Sequence, residues 1–110
     1  MDEIYNYLTF GIWDNDALGY FNYDRYHGFV YRITEKETGR FYIGKKEFKN
    51  WKTYTSSSAV VNQLIKENGF DAFTFEMIEL YKNEKDMIIG ERSRINKEKV
   101  LNEHLLINLN

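Results

Sequence analysis

Two short stretches constrain this chain more than anything else in it. Residues 28–34 (GFVYRIT) and 40–45 (RFYIGK) are β-branched and aromatic, and only EKETG lies between them. Gly39 in that linker can supply the positive φ of a tight hairpin loop, so the stretches read as a β-hairpin. The two-residue period of a strand puts Tyr31 and Ile33 on one face, and likewise Tyr42 and Gly44.

A two-stranded hairpin needs cover from the rest of the chain. Past a polar stretch containing Trp51, the run SSSAVVNQLIKENG opens with serines able to cap a helix and ends in Gly69, suited to a left-handed C-cap. Val60, Val61, Leu64 and Ile65 form its expected apolar face. Residues 73–81 (FTFEMIELY) set Phe73, Phe75, Met77 and Glu79 against Thr74, Glu76, Ile78 and Leu80, which predicts a third strand buried on both sides near its end. Asn83 can cap a second helix through EKDMIIGERSRINKEKV, where Met87, Ile88, Ile95 and Val100 recur at helical spacing. The predicted class is α+β: a three-stranded antiparallel sheet flanked by helices, with an N-terminal extension.

That extension, residues 1–27, carries aromatics from Tyr5 to Tyr26 without a sustained period and is expected to pack on the domain formed by residues 28–110. A chain of 110 residues exposes much of its surface, so its 17% aromatic content supplies needed burial. The net charge of −2 hides an asymmetry. Residues 1–27 hold five acids against Arg25, whereas residues 28–110 hold 14 Lys or Arg against 12 acids. The remainder is mildly basic, which is compatible with a nucleic-acid partner. With no cysteine and only His27 and His104, a metal would need carboxylate ligands. No apolar run approaches a membrane span and the start MDEIYNY is not a signal peptide, so a cytoplasmic protein with no membrane partner is expected.

Glu91 is the position richest in chemical information. It falls four residues after Met87, three after Ile88 and four before Ile95, inside the helix's apolar stripe. A carboxylate there must be paired, neutralised or bound to a cation, and spacing leaves pairing with Lys or Arg as open as a functional role. Arg40, Lys45, Lys46, Lys49 and Lys52 form the densest basic segment, interleaved with Tyr42, Phe48, Trp51 and Tyr54. Such a run either tracks phosphates, with rings stacking on bases or fixing the loop, or is a solvated face. Tyr31 and Tyr42 can be cross-strand partners or present two hydroxyls to one side.

Phe29-Val30-Tyr31 followed by Tyr42-Ile43-Gly44 resembles the two half-motifs of the GIY-YIG nuclease family. The order after them is similar too: a helix, a strand of the form F-x-F-E-x-I from Phe73 to Ile78, then a helix with Glu91 of Gly90-Glu91-Arg92 where the family carries its metal-binding glutamate. Residues 51–57 (WKTYTSS), the helix entry at Glu84 and the C-terminal Asn108 look like parts of small phage-type and homing members. Lys52 stands where the family generally has arginine, and Ser56 where a histidine often comes next.

The resemblance implies a divalent-metal-dependent endonuclease hydrolysing phosphodiesters, with DNA as substrate. It implies Mg²⁺ (or Mn²⁺) at Glu91, Tyr31 or Tyr42 orienting or deprotonating water, and Lys45 as helper to the phenol. Lys52 would face the charge on phosphate, Asn108 would brace the site, and Arg40, Lys46, Lys49 and Trp51 would contact nucleic acid. A non-cleaving nucleic-acid- or protein-binding regulator on the same fold is the alternative, and a homodimer or protein partner could supply specificity.

Overall fold

A computed structural model describes residues 10–109, the side chain of Leu109 excepted; the first nine residues of the expected extension, with Tyr5 and Tyr7, lie outside them. The hairpin forms as strands β1 (Gly28–Glu35) and β2 (Phe41–Glu47), with Gly39 at φ 76° in the loop. Helix α1 spans Ala59–Asn68 and starts on Ser58, whose hydroxyl accepts from the Val61 N–H at 3.2 Å. Strand β3 is Phe73–Tyr81. Helix α2, Glu84–Asn102, is capped by the Asn83 side chain, which accepts from the Asp86 N–H at 2.8 Å.

The sheet is antiparallel with order β2-β1-β3, so the hairpin's first strand is central. One face carries Phe29, Tyr31, Ile33, Phe73, Phe75 and Met77, packed with Trp51, Val61 and Ile107. The other carries Val30, Phe41, Ile43 and Leu106, covered by α2 through Ile95. Residues 10–14 belong to the first layer. Phe10 and Trp13 are buried, and the Trp13 indole N–H donates to the Trp51 carbonyl at 2.9 Å. Asp14 adds a backbone rung to the free edge of β3, donating to Phe75 O at 2.7 Å and accepting from Met77 N at 2.9 Å.

Three expectations about burial change. The β1/β3 register slips between Val30 and Tyr31, which pair with Glu79 and Met77 and leave Ile78 as the extra residue of a bulge. Ile78 keeps its expected place on the face opposite Met77, and the one-residue slip beyond it brings Leu80 into the aromatic layer and leaves Glu79 exposed. On α2, Val100 is 84% exposed and Glu98 is buried in its place. At ~100° per residue Val100 lies about 220° round the helix from Met87, and Glu98 only about 20°. Val60, expected on the apolar face of α1, is exposed at the start of its first turn, leaving Val61 as the buried anchor. No helix among the described residues is long and apolar enough to cross a membrane.

Candidate active site

Tyr31 and Gly44 face each other across the hairpin. A methyl group at position 44 would overlap the Tyr31 hydroxyl, so the glycine opens the path by which that hydroxyl crosses toward the outer side of β2. Tyr31 is 1% exposed, and its hydroxyl donates to Ser56 Oγ at 3.4 Å. Burial holds its phenol well above the usual range; the Ser56 hydrogen bond opposes this, while Tyr54 and Tyr42 reinforce it. Tyr31 therefore stands protonated.

Tyr42 lies on the same side, its ring 6.3 Å from that of Tyr31. Burial raises its phenol, and the charge of Glu91, then Tyr54, raises it further. Glu91 arrives from the middle of α2 and is half-buried. Burial pushes its carboxyl above the ordinary range against the opposing charges of Lys45 and Arg92. It makes no hydrogen bond and no ion pair among the described residues. Lys45, expected to assist a phenol, sets its charge against this carboxylate.

Asn108 fastens the outer edge of β2 at the middle of the Tyr42-Ile43-Gly44 run. Its amide donates to Ile43 O and accepts from Ile43 N, both at 2.8 Å, as a neighbouring strand would. Leu106 adds a parallel bridge to Phe41 just before it. The C-terminal segment thus closes the edge of the strand that carries Tyr42.

The basic segment divides. Lys46 places its ammonium 4.7 Å over the Tyr54 ring, and Lys49 is exposed. A cleft of about 270 Å³ lined by His27, Lys45, Lys46, Glu47, Glu84 and Met87 opens one helical turn before Glu91. Lys52 sits over the rings of Tyr23 and Trp51 at 5.4 and 5.9 Å, and its carbonyl accepts from Ile12 N at 2.9 Å. Arg40 is ion-paired with the buried Glu35 at 3.1 Å beside the hairpin loop. Trp51 is corrected outright: it is 4% exposed, edge-on to Phe10, Phe29 and Phe48, and has no face to offer a base.

Tyr54, whose ring meets that of Tyr31 edge-on at 6.2 Å between centroids, is a neighbour of these phenols that spacing does not single out. In the sequence it stands in the interleaved run beside Phe48 and Trp51, with nothing to separate a site phenol from two packing rings. A single carboxylate is what the site offers a cation, since no cluster of three or more His, Cys, Asp or Glu forms among the described residues. That donor set suits a hard, strongly hydrated ion such as Mg²⁺, which keeps waters and takes phosphate oxygens as its remaining ligands. The half-buried, unpaired Glu91 carboxylate is the matching observation.

The chain matches a family model described as "Putative endonuclease segE, GIY-YIG domain" over residues 13–50 and 47–108. The match takes in β1 to β3, both helices, Asn108, and the segment from Trp13 to His27. No curated protein and no solved structure matches the chain.

Proposed function

The chain belongs to the segE-type GIY-YIG endonuclease domain family, and from that premise we propose that it hydrolyses phosphodiester bonds in DNA with one divalent ion held by Glu91. The observation that carries this reading is the state of Glu91: a half-buried carboxylate with no hydrogen bond or ion pair among the described residues, beside Tyr42, whose ring neighbours that of Tyr31. Such a group is costly unless a cation completes it. When bound, Mg²⁺ or Mn²⁺ would neutralise the charge that develops on the phosphate and leaving oxygens.

The chain's own residues supply the rest. Both phenols are held above their ordinary range, so at neutral pH they act as hydrogen-bond donors. Tyr42, the less buried and the one beside Glu91, orients the attacking water, and Tyr31 fixes the position of its neighbour. Lys45 favours the ionised form of Glu91 and, with Lys46, lines the cleft where the substrate's phosphates enter. Lys52 adds positive charge from the approach to α1, as a point charge without the bidentate fork of an arginine. Asn108 keeps β2 and its tyrosine in place.

The test is cleavage of supercoiled plasmid with Mg²⁺ or Mn²⁺ by the intact chain and by Glu91→Ala. The variant should lose about 10³-fold in rate, the scale of removing a charge-stabilising group from an active site, while keeping its thermal transition. Equal cleavage by both proteins would overturn the assignment.

A further inference from the structure

Residues 10–26 take no part in the proposed chemistry, yet they hold the loop that carries Lys52 at several points. Gly11 crosses Lys52 so closely that a methyl group on the glycine would overlap the Lys52 carbonyl oxygen and Cβ, and its φ of 61° lies where side chains are disfavoured. The next residue, Ile12, donates its N–H to the Lys52 carbonyl at 2.9 Å. The one after, Trp13, donates its indole N–H to the Trp51 carbonyl at 2.9 Å, and both tryptophans are buried. Two successive carbonyls of the loop are thereby held by two successive residues of the segment.

The segment then returns to the same loop with Tyr23. A 3₁₀ turn over Tyr23–Arg25 opens on Asn22, whose side chain accepts from the Asp24 N–H at 3.0 Å. The Tyr23 ring meets Trp51 at 5.3 Å between centroids and 61° between planes, and lies 5.9 Å from Phe48. The Lys52 ammonium stands over Tyr23 at 5.4 Å and over Trp51 at 5.9 Å, within the range at which a cation is drawn to a ring face. A cation on one ring is ordinary in proteins. Here the same segment also fixes the backbone from which the lysine stem departs. The need for a brace follows from the side chain, because a lysine is a point charge on a flexible four-carbon stem, without the planar fork that pre-organises an arginine.

We infer that Tyr23 is a positioning residue for Lys52: packed on Trp51 and Phe48, its ring holds the ammonium while Gly11, Ile12 and Trp13 hold the loop backbone. The consequence for catalysis rests on the nuclease reading above, in which Lys52 supplies charge to the phosphate. The placement of the ammonium does not.

Tyr23→Leu removes the ring face, whereas Tyr23→Phe keeps it and removes only the hydroxyl. In plasmid cleavage with Mg²⁺, Tyr23→Leu should lower kcat about threefold with KM unchanged, the size of one cation–π contact at a partly exposed site. Tyr23→Phe should restore the wild-type rate. In a Lys52→Ala background Tyr23→Leu should have no further effect, because Tyr23 acts through Lys52. Three results would overturn the inference in a protein that cleaves: unchanged kcat in Tyr23→Leu, an equal loss in both backgrounds, or a loss in Tyr23→Phe as large as in Tyr23→Leu. A second readout needs no substrate. By NMR the ε-CH₂ protons of Lys52, shielded by the ring, should lie upfield of those of the exposed Lys49, move downfield in Tyr23→Leu and stay in place in Tyr23→Phe. Coincidence with the Lys49 signals in the wild type would overturn the inference without any variant. Lys52 resonances that ignore Tyr23→Leu sink it whether or not the protein cleaves. A wild type that fails to cleave, with those resonances responding, keeps the placement of Lys52 and counts against the nuclease reading alone.

Discussion

Glu91 and Glu98 sit seven residues apart on α2, on nearly the same side of the helix, and meet opposite fates. Glu98 is the more buried of the two. Burial raises its carboxyl, but the Asn102 amide at 2.8 Å, the Arg94 guanidinium at 3.3 Å and the charge of Arg32 more than offset this, and the group lies below its ordinary range. Glu91 lies above that range, raised chiefly by burial that the charges of Lys45 and Arg92 only partly oppose. The ±4 positions explain the contrast. Glu98 has Arg94 and Asn102 there, whereas Glu91 has Met87 and Ile95. Arg94 stands between the two carboxylates and pairs with Glu98. What separates the two carboxylates on this helix is close hydrogen-bonding partners, which Glu98 has and Glu91, beside Tyr42, lacks among the described residues.

The largest stability effect should come from the partnered half. Glu98→Ala leaves Arg94 and Arg32 facing an empty site and should cost about 3 kcal/mol in urea-induced unfolding. Cleavage measured well below the melting temperature should persist. A variant as stable as wild type would show that Glu98 is a bystander and that the contrast lies in burial alone.

Glu91→Gln should move the other way by a smaller amount. Removing an ionised, half-buried and unpartnered carboxylate is expected to stabilise the fold by roughly 0.5–1 kcal/mol, as relief of an active-site compromise often does. Destabilisation comparable to that of Glu98→Ala would mean that Glu91 has a structural partner after all, and the comparison would collapse.

Much of this arrangement is legible in the residues alone. The hairpin, its glycine turn, both caps and the order of elements come from local periods and residue types, which act over a few positions. Glu91 stands out because apolar neighbours surround it at helical offsets. Glu98 escapes notice because a stripe traced through apolar residues alone takes in Val100 for its residue type and passes over a buried glutamate two positions earlier whose spacing from Met87 fits better. The bulge at Ile78 depends on how β3 registers against β1, a long-range choice with no local mark. Trp51 and Tyr54 lie three residues apart in one basic and aromatic run. Only packing sends the first into the core beside Trp13 and the second to Tyr31.

The smallest effect is also the one that reads both carboxylates in a single experiment. An unfolded glutamate titrates near pH ~4.3. Glu98 lies below that value when folded, so the stability it adds is fully present above the unfolded pKa and is lost as pH falls through the lower, folded one. Glu91 lies above it, so the fold favours its neutral form. That advantage is complete below the unfolded pKa and disappears as pH rises through the folded one. The stability difference between wild type and Glu98→Gln should therefore shrink as pH drops below about 4. Between wild type and Glu91→Gln, the difference should open to the variant's benefit as pH rises from about 4 toward neutrality. Urea titrations at closely spaced pH values separate the two slopes. If both differences ran in the same direction, the two glutamates would share one environment, and an unpartnered carboxylate could no longer be what distinguishes the Glu91 end of the helix.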